Sequence, residues 1–143
     1  MKQENKILDL SISFALEIIK FCETLDKSNK FVISKQLLRS GTSIGANIHE
    51  AQSPESKNDF IHKLKIAHKE AIETKYWLIL CEKSENYPST IELQEKLQNI
   101  LNLESLRARR HAAPPMGDSR PHDRRPASLR LARQHVRRFA HLL

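Results

Sequence analysis

The chain has 143 residues, with 24 Lys and Arg against 17 Asp and Glu, a formal net charge of +7, and only three Gly, six Pro and two Cys. That length suits one domain with a core that needs neither disulfides nor a structural metal, and the scarcity of turn formers argues for helices over a β-sandwich. No apolar run approaches the roughly 18 residues of a membrane span. Asp9, Ser11 and Glu17 also break the N-terminal apolar stretch before a secretory signal forms, so the expectation is an all-α cytoplasmic protein with no membrane partner.

The charge is unevenly spread. Residues 1–104 hold 13 Lys and one Arg against 15 acidic groups, a net of −1, whereas residues 105–143 hold ten Arg and no Lys against two Asp. Composition changes at the same point: all 13 Ile and all seven Asn lie before residue 105. Lys, Ile and Asn use AT-rich codons and Arg, Ala and Pro GC-rich ones, so the two parts read as different DNA sources. The expected organisation is a helical domain over 1–104 and an Arg/Pro-rich tail over 105–143 of frame-shifted, chimeric or vector origin, without order except for a short helix near 127–142. The alternative for the tail is a basic arm for nucleic acid.

In chain order, Ile7, Ser11, Phe14, Ile18, Phe21 and Leu25 alternate intervals of four and three, which predicts a helix from about Glu4 to Leu25. Leu10, Ala15, Ile19 and Cys22 widen its apolar face to suit two neighbours. The short polar break from Asp26 to Lys30 should return the chain antiparallel. The second helix, about Asn29 to Gln52, carries Leu37, Gly41, Ile44, Ile48 and Ala51 on its stripe. Gly41 and Gly45 lie one turn apart, and because each glycine costs a helix interior about 1 kcal/mol against alanine, they are expected where another backbone comes close. Neither glycine belongs to a phosphate-cradling GxxxxGK[ST] or GxGxxG pattern.

Ser53-Pro54-Glu55 reads as an N-cap, a first-position proline and a first-turn acid, opening a third helix that runs to about Lys83. Phe60, Leu64, Ala67, Ala71, Leu78 and Cys81 form its main stripe, with Ile61, Ile72 and Ile79 beside it. Tyr76 and Trp77 are candidate subunit-interface anchors, with the core an equal reading for Trp77. Ser89-Thr90-Ile91-Glu92 has the capping-box pattern, beginning a fourth helix with Leu93, Leu97, Ile100 and Leu101. Its apolar pattern fades after Leu106, so this helix is expected to be truncated. Cys22 and Cys81 both lie in apolar patterns without zinc-ligand spacing, as small core side chains do in a reducing compartment.

The segments QLLRSGTSIGANIHEA (Gln36 to Ala51), DFIHKLKIAHKEAIET (Asp59 to Thr74) and YWL (Tyr76 to Leu78) closely resemble the four helix bundle protein family often encoded in intervening sequences of bacterial 23S ribosomal RNA genes. The resemblance covers about Lys6 to Glu104. It implies an antiparallel up-down four-helix bundle that assembles with itself as a ring-like homopentamer. It also implies kinship with the accessory variability determinant of diversity-generating retroelements, a basic barrel that binds nucleic acid and reverse transcriptase. The near-neutral body departs from that basic barrel.

The local basic groups that remain are His62, Lys65 and Lys69, which share a face of the third helix, joined by Lys35 and Arg39 from the second. They are the candidate nucleic-acid contacts, against the plainer reading of a solvated polar face. No HExxH and no Glu-x-x-His pair is present, and no nucleophile and base are spaced as a catalytic set, so neither catalysis, a cofactor, a metal nor a small-molecule substrate is expected. Arg39 and Glu50 are expected in ion pairs near helix ends. Two functions fit: an oligomeric scaffold or adaptor that binds RNA, DNA or a nucleic-acid-processing partner, or a purely structural self-associating bundle.

Overall fold

The computed structural model describes residues 2–112, with side chains from residue 6 onward. Four helices account for almost all of it: α1 (Lys2–Lys27), α2 (Phe31–Glu50), α3 (Lys57–Lys83) and α4 (Ile91–His111). Each helix packs on two others, in the cycle α1–α2–α3–α4–α1, which is the square cross-section of an antiparallel up-down bundle. Residues 113–143, including the short helix expected near 127–142, lie outside the described residues.

The heptad stripes meet as their spacing dictates. Ile7, Phe14, Ile18 and Leu25 of α1 are buried with Leu37, Ile44 and Ile48 of α2, Leu78 of α3 and Leu97 and Ile100 of α4. A second cluster, Ala51, Phe60 and Leu64, closes the end where α2 turns into α3. Cys22 and Cys81 are free, buried thiols, and burial pushes Cys22 up to about 11 and Cys81 upward as well. Both are therefore protonated packing groups at neutral pH.

The helix ends show local chemistry overriding simple pattern. α1 stops in a Schellman motif, with Asn29 in the left-handed region (φ 58°). There the Lys30 amide donates to the Leu25 carbonyl at 2.9 Å and the Asn29 amide to Asp26 at 3.0 Å. The third helix begins at Lys57 rather than at Pro54. Ser53 is occupied in the turn that ends α2, its amide donating to the Glu50 carbonyl. Ser56 is the N-cap instead, accepting the Asp59 amide at 3.0 Å, while the Asp59 carboxylate accepts the Glu55 amide at 3.0 Å. The capping box expected at Ser89 does not form either. Thr90 is the N-cap of α4 and makes no side-chain cap, because its hydroxyl donates back to the Leu78 carbonyl at 2.8 Å. Its amide and the Ser89 hydroxyl donate to the Glu82 carboxylate, which these bonds hold below the usual carboxylate range.

α4 is shorter than α1 and α3, yet it extends through Arg107–His111, beyond the reach of its apolar pattern. Contacts other than aliphatic packing carry this last turn. Arg107 Nη2 donates to Gln52 Oε1 at 3.3 Å, and its guanidinium lies 5.7 Å from the centre of the Phe60 ring. His111 stacks in a tilted arrangement on the same ring at 4.5 Å.

Small polar residues tie neighbouring helices inside the core. The Ser34 hydroxyl donates to the Cys22 carbonyl at 3.2 Å across α1–α2, and the hydroxyls of Thr74 and Ser40 meet at 3.0 Å across α2–α3. The two glycines of α2 face α1, but they are not equivalent. A Cβ on Gly41 would stand 2.9 Å from Cγ2 of Ile18, a stiff β-branched side chain locked in the core, whereas one on Gly45 would meet Ser11 at an ordinary 3.5 Å. Gly41→Ala is therefore expected to lower the thermal midpoint despite alanine's better helix propensity. Gly45→Ala should leave it unchanged or raise it, by up to about 1 kcal/mol of stability. Parallel thermal melts of the two variants check this, and equal effects would remove the distinction.

Candidate functional site: a cleft between α3 and α4

Two of the five candidate nucleic-acid contacts converge. Lys65 and Lys69 of α3 line a cleft of about 330 Å³ with Leu64 and His68, facing Glu104, Ser105 and Ala108 of α4. The volume lies at the small end of the roughly 300–1,000 Å³ typical of small-molecule sites. Both lysines are exposed and make no ion pair among the described residues.

The other three candidates are elsewhere. Lys35 and His62 are exposed and do not line the cleft. Arg39 is bound to Glu73 and reaches Glu70 at 3.5 Å, an α2–α3 ion-pair cluster at mid-helix rather than near the helix ends. Glu50 of α2 does pair near its helix end, with Lys63 at 2.6 Å. Glu73 is shared further, accepting the indole N–H of Trp77 at 3.2 Å. Hydrogen bonds from Arg39 and then Trp77 hold its carboxylate below the usual range. Trp77 is half-buried against the core, while Tyr76 stands edge-on to it at 5.2 Å and is 56 % exposed.

The cleft's decisive group is one the sequence reading did not single out. Glu104 is only 2 % exposed, and neither of its carboxyl oxygens has a hydrogen-bond partner among the described residues. His68 Nδ1 is 3.8 Å from Oε2, too long for a hydrogen bond. Removal from water pushes this carboxyl up to about 8, so it is mostly protonated at neutral pH. A signal was present in the sequence. Glu104 continues the stripe of Leu97, Ile100 and Leu101 at helical spacing, which places a carboxyl where the pattern calls for an aliphatic side chain.

A further groove of about 410 Å³ lies between α1 and the start of α4, lined by Glu17, Lys20, Phe21, Thr24, Ser89, Glu92 and Leu93. None of its polar side chains is buried, and it lacks the unsatisfied group that distinguishes the α3–α4 cleft. Among the described residues no cluster of three or more His, Cys, Asp or Glu is arranged to hold a metal ion.

Glu104 links stability to pH. Unfolding lowers its pKa from about 8 towards the ordinary 4.5. Between those values the unfolded chain binds fewer protons than the folded one, so stability falls as pH rises across the window and levels off above it. Relative to Glu104→Gln, which stays neutral, the wild-type chain should lose up to about 1.4 kcal/mol per pH unit in that interval. Thermal denaturation of both proteins from pH 5 to pH 8.5 checks this. Parallel curves would mean that the carboxyl titrates normally.

Among solved structures, the chain is similar to a crystal structure at 1.70 Å of a protein with unknown function from the S23 ribosomal protein family of Bacteroides thetaiotaomicron. Identity is 42 % and the TM-score 0.71, with 75 % of this chain and 98 % of that one covered. No curated protein matches the chain. The profile of the 23S rRNA-intervening sequence protein family matches residues 3–105, the span that forms the four packed helices. With its bundle and nearly its whole described length accounted for in this way, the chain belongs to the 23S rRNA-intervening sequence protein family.

Proposed function

We propose that this domain is a non-enzymatic, self-associating helical scaffold of the cytoplasm that binds nucleic acid, RNA in the first instance, through the α3 face around Lys65 and Lys69. The observation that carries self-association is the apolar surface a single copy leaves in water. Ile12, Leu16 and Ile19 of α1 are 38–56 % exposed and recur at helical spacing, and Leu38 of α2 and Ile72 and Tyr76 of α3 are exposed as well. Apolar side chains in register on an outward helix face mark a contact surface. The resemblance to bundles that form rings makes a homopentamer the arrangement to expect.

The nucleic-acid part rests on Lys65, His68 and Lys69 gathering at one cleft and on the ribosomal associations in the names of the family and its solved member. The ion pairing of Arg39, Lys63 and Lys96 with glutamates favours a second reading, a structural bundle without a nucleic-acid role. Free, buried thiols fit a reducing compartment, and no helix among the described residues is long and apolar enough to cross a membrane.

Sedimentation of the full chain should give a multiple of the 16.5 kDa protomer, and Ile12→Glu combined with Leu16→Glu should reduce it to the protomer. A monomeric wild-type chain would remove the scaffold reading. RNA affinity of the full chain should fall steeply with salt, and Lys65→Glu with Lys69→Glu should weaken it and flatten the salt slope by about two ion releases. An unchanged slope would leave the purely structural bundle.

A further inference from the structure

A buried polar group that lacks a partner is costly to the fold and calls for an explanation. Glu104 is a severe case, with two unsatisfied oxygens at 2 % exposure. The residue forms part of the wall of the α3–α4 cleft, with both oxygens closed to water, so a ligand meets the carboxyl once the side chains over it give way. The residues around it restrict what a ligand can be. A protonated carboxyl presents one donor and one acceptor side by side, so it pairs with a flat group whose edge offers the complementary pair. Leu64 and Ala108 supply apolar walls for the faces of such a group. Lys65, His68 and Lys69, on the α3 side of the cleft, call for an anion on the same ligand. A small organic cation meets repulsion from these lysines, and a lone metal ion finds no cluster of acidic or imidazole ligands among the described residues.

A nucleotide has all of the required parts: a planar base with paired donors and acceptors on its edge, and a phosphate a few ångströms away. We propose that the α3–α4 cleft is a subsite for one unstacked nucleotide, whose base edge pairs with the Glu104 carboxyl and whose phosphate lies on Lys65, His68 and Lys69. The inference deepens the nucleic-acid reading given above and rests on it. The same chemistry is offered by a free mononucleotide and by an unpaired residue of an RNA strand. Because a neutral carboxyl complements the pairing edge of every common base, the subsite has little base preference at neutral pH.

The test uses the full-length chain, so that the arginine-rich tail contributes equally to every variant. Adenosine 5′-monophosphate, adenosine, inorganic phosphate and a short unstructured single-stranded RNA are titrated by calorimetry and followed by NMR shifts of α3 and α4 amides. Adenosine 5′-monophosphate should bind more tightly than adenosine or phosphate. Glu104→Leu, which suits the apolar walls, should weaken it about tenfold, the loss expected for one two-point base contact. Glu104→Gln, whose amide keeps a donor beside an acceptor, should restore binding to within a few-fold, which a merely structural role for Glu104 would not produce. Lys65→Ala with Lys69→Ala should abolish the preference for the phosphorylated form.

Binding of the mononucleotide without the RNA assigns the site to free nucleotides, and binding of both assigns it to strands, each supporting the subsite. RNA binding that is salt-dependent but indifferent to Glu104→Leu overturns the subsite while the nucleic-acid reading stands. No binding of any probe overturns both.

Discussion

The close approach of α1 and α2 governs the rest of the bundle. With Gly41 set against Ile18 so closely that a methyl group would collide, these helices pack nearer than Leu-on-Ile contacts allow. Gly45 over Ser11 and Ser34 over Cys22 extend the seam along both helices. α2 presents small residues on both flanks, because Ser40 faces α3 and bonds Thr74. It is thus the spine against which α1 and α3 are fixed, and α4 closes the square with its own stripe of Leu93, Leu97 and Ile100. Interiors are packed too densely for such a seam to tolerate added volume without displacement.

Within this frame, polar groups divide into two kinds. Ser34, Ser40, Thr74 and Thr90 are buried and satisfied, each bonded to a neighbouring helix. Such bonds contribute modestly to stability but strongly to register, because a shift of one helix would leave the groups unpaired in the core. Glu104 is buried and unsatisfied. An aliphatic residue at its position would complete the stripe of α4 without the desolvation that raises its pKa, so the carboxyl stands there at a cost to the fold. Exposed pairs such as Lys96–Glu17 and Lys63–Glu50 add little to stability. Their consequence is electrostatic, since they neutralise cations that would otherwise join Lys65 and Lys69 in a wider basic field.

The two faces of α3 therefore differ in character. One side carries the core stripe from Phe60 to Cys81 together with the hydroxyl of Thr74. The outward side changes along its length, basic around Lys65 and Lys69 and apolar at Ile72 and Tyr76. A single helix can hold both because its 27 residues span about 40 Å, long enough for an exposed apolar patch and a basic cleft to lie side by side. Under the proposed function, self-association through the apolar portion would repeat the cleft once per copy and add the gain in avidity that multivalent contact brings.

Sequence alone determined the helical class, the number of helices and most of the residues that face the core, because those follow from a 3.6-residue period and need no knowledge of what lies opposite, although Ile19 and Ile72, read as widening the stripes, are exposed. It also placed both cysteines in the interior and Gly41 and Gly45 at a helix contact. Only the tertiary structure decided how α4 starts: Ser89 had the right pattern for a cap, but its hydroxyl donates to the Glu82 carboxylate of α3, while a local turn carries the chain past Ser53 and leaves the cap of α3 to Ser56. The same holds for the site. Lys65 and Lys69 were legible as a basic face, yet Arg39 left that set by pairing with Glu70 and Glu73 far away in sequence. The isolation of Glu104 came from the packing of α3 against α4. Periodicity fixes the direction in which a side chain points, while the partners it meets there depend on residues that a local pattern does not contain.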